Sequence, residues 1–199
     1  PFLHFNYEQS QIKELLVYSN EVFKTKVLSF ITTKADVLII GSFLGMNSLG
    51  YYSMVMKIAT AFEEVLMQPF CNVMLNVFSR LKKSLNELMG IFYSSANILT
   101  TCSLPFYFIL GFYGNVFFTS LLGDKWEVGS ALYFFIAFQM AVRTISYLNY
   151  PFLYGIGSVK YVTYMNAINL ILTLIILIPL SNYGIDFVAM GIFVRACVG

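Results

Sequence analysis

The sequence predicts an all-α integral membrane protein, and three observations support this class. Hydrophobic residues make up 58% of the 199 residues and charged residues only 11%, whereas soluble domains carry about 25% charged residues. The mean hydropathy is +0.74. Apolar residues also form solid blocks, such as residues 168–179, whereas strands of a transmembrane barrel would alternate apolar and polar residues. At about 30 residues for a span and its connection, the chain has room for about six helices.

The predicted helices are apolar segments separated by polar or glycine-containing turns. They cover residues 15–44, 51–78, 88–113, 127–153, 161–180 and 187–199. The first is long enough to start at the membrane interface and then cross. The second contains Pro69, which predicts a kink, because proline removes a backbone donor. The third follows a charged connector and contains a second proline, Pro105.

The last three helices are bounded by short turns. The loop over residues 114–126 ends in Gly-Asp-Lys-Trp, a sequence suited to the membrane interface, and precedes the fourth helix. The fifth helix is almost uniformly apolar. The sixth is too short to span a bilayer and is expected to continue beyond residue 199. The six helices form one domain over residues 1–199, and we expect both ends to be cuts in a longer chain.

Basic residues in the loops predict the orientation of the bundle. The first flank, the connector between helices two and three, and the turn between helices four and five contain Lys13, Arg80, Lys82, Lys83 and Lys160. The alternate loops contain only Lys125. Because cytoplasmic loops are enriched in Lys and Arg, the first set of loops is predicted to be cytoplasmic.

Polar side chains follow the helical period along several predicted spans, where ionisable groups need a partner or a water-filled cavity. The clearest stripe lies on the second helix and contains Ser53, Lys57, Thr60, Glu64, Gln68 and Asn72. Weaker stripes on the third and fifth helices suit hydrogen bonds between helices. The first, second and fourth helices carry ionisable residues, which favours a wet cavity, because a dry interface would bury too many charges. The predicted cavity-lining residues are Lys24, Lys34, Asp36, Lys57, Glu64, Gln68, Asn72, Gln139 and Arg143.

Depth along the helices predicts two ion pairs. Asp36 and Lys57 lie at similar depths on adjacent antiparallel helices, and so do Glu64 and Arg143. Arg143 has two interpretations: an anchor that exchanges Glu64 for an anionic substrate, or a permanent bridge between helices. Glu63 lies about 100° from Glu64 around an α-helix and is expected to face another helix or the interface.

Motifs for catalysis are missing from the sequence. It has no phosphate-binding G-x-x-x-x-G-K-[ST] loop, no H-E-x-x-H and no G-x-S-x-G, and its one histidine is His4. The three cysteines are widely separated and have no metal-ligand spacing. Twelve basic and ten acidic residues provide no basic patch for nucleic acid. We therefore predict a protein that is not an enzyme and uses no catalytic residue, metal or cofactor.

Four motifs, in order along the chain, carry a family resemblance. They are Lys34-Ala-Asp-Val-Leu-Ile-Ile-Gly-Ser-Phe-Leu-Gly45 with Leu49-Gly-Tyr-Tyr-Ser53 and Lys57-Ile58; Val77-Phe-Ser-Arg80; Leu122-Gly-Asp-Lys-Trp126; and Tyr154-Gly-Ile-Gly157 with Lys160. Over residues 13–199 the chain resembles the second lobe of polysaccharide and O-antigen (Wzx-type) flippases. These belong to the multidrug/oligosaccharidyl-lipid/polysaccharide (MOP) exporter superfamily.

The resemblance implies a C-terminal lobe of six helices that faces a first lobe of the same polypeptide across a V-shaped cavity. It implies export of a polyprenyl-diphosphate-linked oligosaccharide across the inner, or plasma, membrane by alternating access, in the service of polysaccharide such as the O-antigen of lipopolysaccharide. Two alternatives remain open: a drug or small-molecule cation antiporter of the same superfamily, and an integral-membrane enzyme acting on polyprenyl-linked sugars.

Overall fold

The computed structural model describes residues 9–126 and 130–198. Within these residues the chain is helical and contains no strand, which confirms the all-α class. The helices are α1 (Gln9–Phe43), α2 (Gly45–Phe62), α3 (Gln68–Leu81), α4 (Leu85–Leu122), α5 (Ser130–Ser146), α6 (Asn149–Gly155), α7 (Val159–Leu180) and α8 (Ile185–Val198). A π-helical turn, Glu63–Met67, joins α2 to α3, and short 3-10 turns cover Asp124–Trp126 and Ser181–Tyr183.

Three of the described helical segments are long and apolar enough to cross a membrane. They are Leu85–Leu122 with 38 residues, and Ala131–Gly155 and Val159–Tyr183 with 25 residues each. At a rise of about 1.5 Å per residue these lengths exceed the ~30 Å hydrocarbon core of a bilayer. The number of six spans stays a prediction, as does the arrangement of two facing lobes.

The second predicted helix is interrupted at the position where Pro69 predicts a kink. Residues 63–67 form a π turn, in which the backbone N–H of Gln68 donates to the carbonyl of Glu63. Pro69 cannot donate a backbone hydrogen bond, and its ring would clash with the carbonyl of Val65 in a regular α-helix. The wider π turn accommodates this defect, so the helix continues as α3 with a changed register.

The fourth predicted helix is also interrupted. Its two parts, α5 and α6, are separated by a tight turn at residues 147–148, where the N–H of Tyr147 donates to the carbonyl of Thr144 at 3.1 Å. Pro151 follows and would clash with the carbonyl of Tyr147 in a regular helix. This break lies inside the predicted helix 127–153 and was not expected there. The predicted start of this helix, residues 127–129, lies outside the described residues.

The third helix is longer than predicted, because α4 continues through residues 114–122, which were expected to form a loop. The extended helix packs so closely against α5 at Gly114 that a Cβ added there would lie 3.1 Å from the Tyr133 side chain. Glycine permits this packing because it has no Cβ. The small residue lets α4 approach α5 closely, and Phe118, about one turn later, is fully buried at 0% exposure. The chain turns instead at Gly123, whose φ of 89° favours glycine.

The packed interior consists of two hydrophobic clusters. The larger, which we call the upper core, draws buried residues from α1, α2, the second half of α4, α5, α7 and α8, with Ile40, Val55, Tyr133 and Ile192 among them. The smaller, the lower core, contains Met67, Cys71, Phe78, Leu88, Leu99 and Leu148. The lower core therefore joins the π turn and α3 to the first half of α4 and to the start of α6.

Candidate functional site

An ion pair joins the two interrupted helices at the level of their breaks. Arg143 Nη2 lies 3.5 Å from Glu63 Oε2, and the exposed fractions of the two side chains are 47% and 5%. Arg143 is in the last turn of α5, and Glu63 is the first residue of the π turn. The second carboxylate oxygen of Glu63, Oε1, is buried and has no hydrogen-bond partner among the described residues. Glu63 is therefore a buried acid that fixes one edge of the Arg143 guanidinium, while the Arg143 side chain as a whole is half exposed.

The predicted pairing of Arg143 with Glu64 is wrong, because Arg143 contacts the buried side of this helix, which contains Glu63, and not the polar stripe that contains Glu64. Buried residues along this helix fall at Ala59, Glu63, Met67 and Cys71, each four residues after the last. An α-helix has about 3.6 residues per turn, so that spacing would drift around its surface. A π turn absorbs the extra residue. The turn thus keeps Met67 and Cys71 on the same buried side as Ala59 and Glu63, while Glu64 is exposed.

A second ion pair is buried among four helices. Asp36 of α1 accepts hydrogen bonds from Arg195 of α8, at 3.2 Å to Oδ1 and 3.4 Å to Oδ2, and from the Tyr52 hydroxyl of α2 at 3.4 Å. Arg195 also donates to Thr173 Oγ1 of α7 at 2.6 Å. The exposed fractions of the Arg195 and Asp36 side chains are 12% and 9%. Each charge is thus paired and has a further polar neighbour, as buried charges require.

The predicted pairing of Asp36 with Lys57 is therefore wrong. Asp36 lies in the interior and is occupied by Arg195, whereas Lys57 lies on the exposed side of α2 and forms no ion pair in the described part of the chain. Depth along adjacent helices gives no information on which face of α1 the last helix covers.

The polar stripe of the second predicted helix remains on an open surface. Ser53, Lys57, Glu64, Gln68 and Asn72 are exposed along α2, the π turn and α3, and Thr60 is half-buried. We call this surface, together with Arg143, the polar face. Lys57 and Arg143 provide two positive charges on it, and Glu64 provides one negative charge. The exposure of charged groups at these positions agrees with a surface that contacts water or another polar surface.

The remaining predicted cavity residues are distributed elsewhere. Lys24 is exposed and makes a contact of 3.4 Å with Glu21 on its own helix. Lys34 is exposed. Gln139 is buried at 4% exposure, and its Oε1 atom has no hydrogen-bond partner among the described residues. The structure therefore leaves Lys57, Glu64, Gln68, Asn72 and Arg143 exposed, while it places Asp36 and Gln139 in the interior.

Comparison with known proteins gives the family. A family model described as polysaccharide biosynthesis protein matches residues 2–131, which is well over half of the chain. The chain belongs to this family. Searches of curated proteins and of solved structures found no match.

Membership of the polysaccharide biosynthesis family agrees with the resemblance to polysaccharide flippases found in the sequence. Together with three helices that can cross a bilayer, it indicates a membrane protein with a role in polysaccharide biosynthesis or export. The matched region includes α1 to α4 and the π turn, so it contains Asp36, Tyr52, Glu63 and the whole polar stripe of the second helix.

Two important residues, Glu63 and Arg195, are absent from the predicted cavity set. The sequence contains a signal for each. Arg195 is an ionisable residue in an apolar segment, which by itself requires a partner at membrane depth. For Glu63 the signal is its spacing, since it lies four residues after Ala59 and therefore on the apolar side of the second helix.

Proposed function

We propose that this family member moves a polyprenyl-diphosphate-linked oligosaccharide from the inner to the outer leaflet of the cell's inner, or plasma, membrane by alternating access. The observation that supports this most directly is Arg143. It is half exposed on the polar face and held at one edge by the buried Glu63. A guanidinium has five N–H donors in a planar fork, so an arginine fixed by one carboxylate retains donors for a diphosphate.

The structure changes which acids can compete with an anionic ligand on the polar face. Asp36, one of the two carboxylates predicted to line the cavity, is paired with Arg195 inside the protein. Arg143 is paired with the buried Glu63, and Lys57 and Glu64 are exposed with opposite charges. The polar face therefore has no net charge. A diphosphate is favoured over the cation of an antiporter by the remaining N–H donors of Arg143, which suit an anion.

The rest of the proposal follows the family resemblance. A first lobe of the same polypeptide would cover the polar face and close the cavity around the sugar units. The protein would bind its lipid-linked substrate without chemical change, and thus would not act as an enzyme. The polysaccharide would be of the O-antigen or lipopolysaccharide type, and the surrounding bilayer would hold the polyprenyl tail.

The proposed orientation is testable by cysteine labelling of the full-length protein in whole cells. We expect Lys82→Cys and Lys160→Cys to be protected from a membrane-impermeant thiol reagent and Lys125→Cys to react, because the basic loops are predicted to be cytoplasmic. Exposed native cysteines, Cys102 and Cys197, would first be replaced by serine. Permeabilised cells provide the control in which all three positions react. Reaction of Lys82→Cys with protection of Lys125→Cys would invert the orientation.

Deletion of the full-length gene tests the transport function. We expect surface polysaccharide to be lost and chemically complete lipid-linked oligosaccharide to accumulate on the inner leaflet, where a soluble glycosidase reaches it only in permeabilised cells. Complementation with the intact gene should reverse both effects. An enzyme would leave lipid-linked units of altered structure. An antiporter would change drug susceptibility and leave the polysaccharide intact. Either result would overturn the proposal.

A further inference from the structure

Three helices pass from the upper core into the lower core, and each has a proline near the crossing. On the second helix the upper core ends at Ala59 and the lower core begins at Met67, with Pro69 next to it. On α4 the lower core ends at Leu99 and the upper core resumes at Leu104, beside Pro105. On the fourth helix the upper core ends at Ala141 and the lower core begins at Tyr147, before Pro151.

These prolines weaken all three helices at one level. Each removes one backbone hydrogen bond and disfavours regular geometry around the carbonyl four residues earlier. The result is the π turn in the second helix and the turn at residues 147–148 in the fourth. The helix α4 remains regular through Pro105 but lacks that proline's backbone bond. Breaks and kinks of this kind are the sites where helices bend.

Below this level, the second and fourth helices are tightly joined. Gly155 of α6 lies so close to α3 that an added Cβ would be 2.8 Å from Phe78 Cβ and 3.2 Å from the backbone nitrogen of Ser79. The ring of Phe152 packs edge-on against Phe78, with centroids 5.6 Å apart, and lies 4.9 Å from the ring of Phe92 in α4. Interlocked backbones and rings move together more readily than they separate.

Few side chains tie this lower unit to the upper core. Among the described residues, Phe62 alone packs against both cores. The ion pair of Glu63 and Arg143 sits at the breaks themselves. On the flank, Tyr150 donates a hydrogen bond to Asn166 of α7 at 3.2 Å, and Lys26 of α1 lies 5.9 Å from the Tyr154 ring centre.

We propose that α3, α6 and residues 85–104 of α4 form a gate that swings as one body about the three proline sites, with the Glu63–Arg143 pair as its latch. The proposed hinge motion is inferred from the packing of the helices alone and requires no bound substrate. Its role in transport rests on the proposed function: a diphosphate that binds the remaining donors of Arg143 would share the guanidinium with Glu63, weaken the ion pair and release the gate.

Distances between paired spin labels in the purified full-length protein test the hinge without any substrate. The first pair, Phe23→Cys on α1 and Arg80→Cys on α3, measures the gate against the α1–α7 side. The second pair, Phe23→Cys and Tyr164→Cys, lies within the α1–α7 side and is the internal control. The native side chains at the three label positions, Phe23, Arg80 and Tyr164, are exposed. Cys71, Cys102 and Cys197 would be replaced beforehand.

We expect the Phe23–Arg80 pair to show a major and a minor distance, and the control pair to show one. Glu63→Gln keeps the shape of the side chain and removes its charge. It should raise the ratio of minor to major populations about fivefold, which corresponds to ~1 kcal/mol. Glu64→Gln is the matched control, since it removes the neighbouring exposed charge and should leave the ratio unchanged. Pro151→Ala should lower the ratio by repairing the fourth helix.

A single Phe23–Arg80 distance that is the same in the wild type and in Glu63→Gln would overturn the gate, provided the control pair shows an intact fold. An equal response to Glu64→Gln would overturn the latch, because it would indicate a general effect of charge. The measurement contains no lipid-linked sugar, so its failure is separate from any failure of the transport proposal.

Discussion

Replacing Arg195 by alanine is expected to destabilise the protein by about 3–5 kcal/mol, the usual effect of removing one partner of a buried ion pair. The change would leave the Asp36 carboxylate in the interior with only the 3.4 Å hydrogen bond from Tyr52. It would also remove the hydrogen bond that Arg195 donates to Thr173 Oγ1 at 2.6 Å. Because the network joins α1, α2, α7 and α8, the whole upper core should loosen. Thermal unfolding of purified full-length protein in detergent measures the effect.

Two further variants distinguish the effect of the ion pair on stability from a general effect of removing a charge. Lys57→Ala removes an exposed cation of the same sign and should change stability by less than about 0.5 kcal/mol. The double variant Asp36→Leu with Arg195→Met removes both charges and fills the space with apolar groups, so it should recover most of the loss. If Arg195→Ala unfolded at the same temperature as Lys57→Ala, the pair would contribute nothing measurable to the fold.

The all-α fold class was predictable from the composition, and the polar stripe of the second helix was predictable from the helical spacing of its residues. Long apolar blocks can satisfy their backbone in a membrane only as helices or closed barrels, and the absence of alternation left helices. The stripe from Ser53 to Asn72 was predictable for the same reason, since its residues recur at the helical period. The structure leaves the members of that stripe exposed or half-buried, as Lys57, Glu64 and Gln68 show.

The pairing of charges was less predictable, because it depends on which side of a helix its neighbours cover. Projection at 100° per residue places Glu64 on the polar stripe and Glu63 on the apolar side, and Arg143 contacts the apolar side. Asp36 and Arg195 are 159 residues apart in the chain. No polar face was predicted for the last helix, so depth on the adjacent helix favoured Lys57 as the partner of Asp36. Long-range packing decided both pairs.

Arg143→Lys is expected to reduce polysaccharide export about tenfold or more at normal protein levels. Lysine keeps the positive charge but has no planar fork, so it cannot hold Glu63 and a diphosphate at the same time with paired hydrogen bonds. Loss of one hydrogen bond to a charged group corresponds to ~1.5–3 kcal/mol, or about 10- to 100-fold in binding. Surface polysaccharide in a deletion strain that carries each full-length variant is the measurement, with immunoblots as the control for protein level.

The double variant Arg143→Ala with Glu63→Ala distinguishes a substrate anchor from a permanent bridge between the second and fourth helices. Arg143→Ala alone leaves Glu63, only 5% exposed, as an unpaired buried acid, so export should fail under both interpretations. Removing both charges relieves that penalty. A bridge would then be dispensable and export would recover, whereas an anchor would still be missing and export would stay lost despite a stable protein. Pairing Arg143→Ala with Glu64→Ala is the matched control, because Glu64 does not contact Arg143 and its removal should relieve nothing. We expect the Glu63 double variant to restore protein stability without restoring export, and full recovery of export would rule out Arg143 as the group that binds the diphosphate.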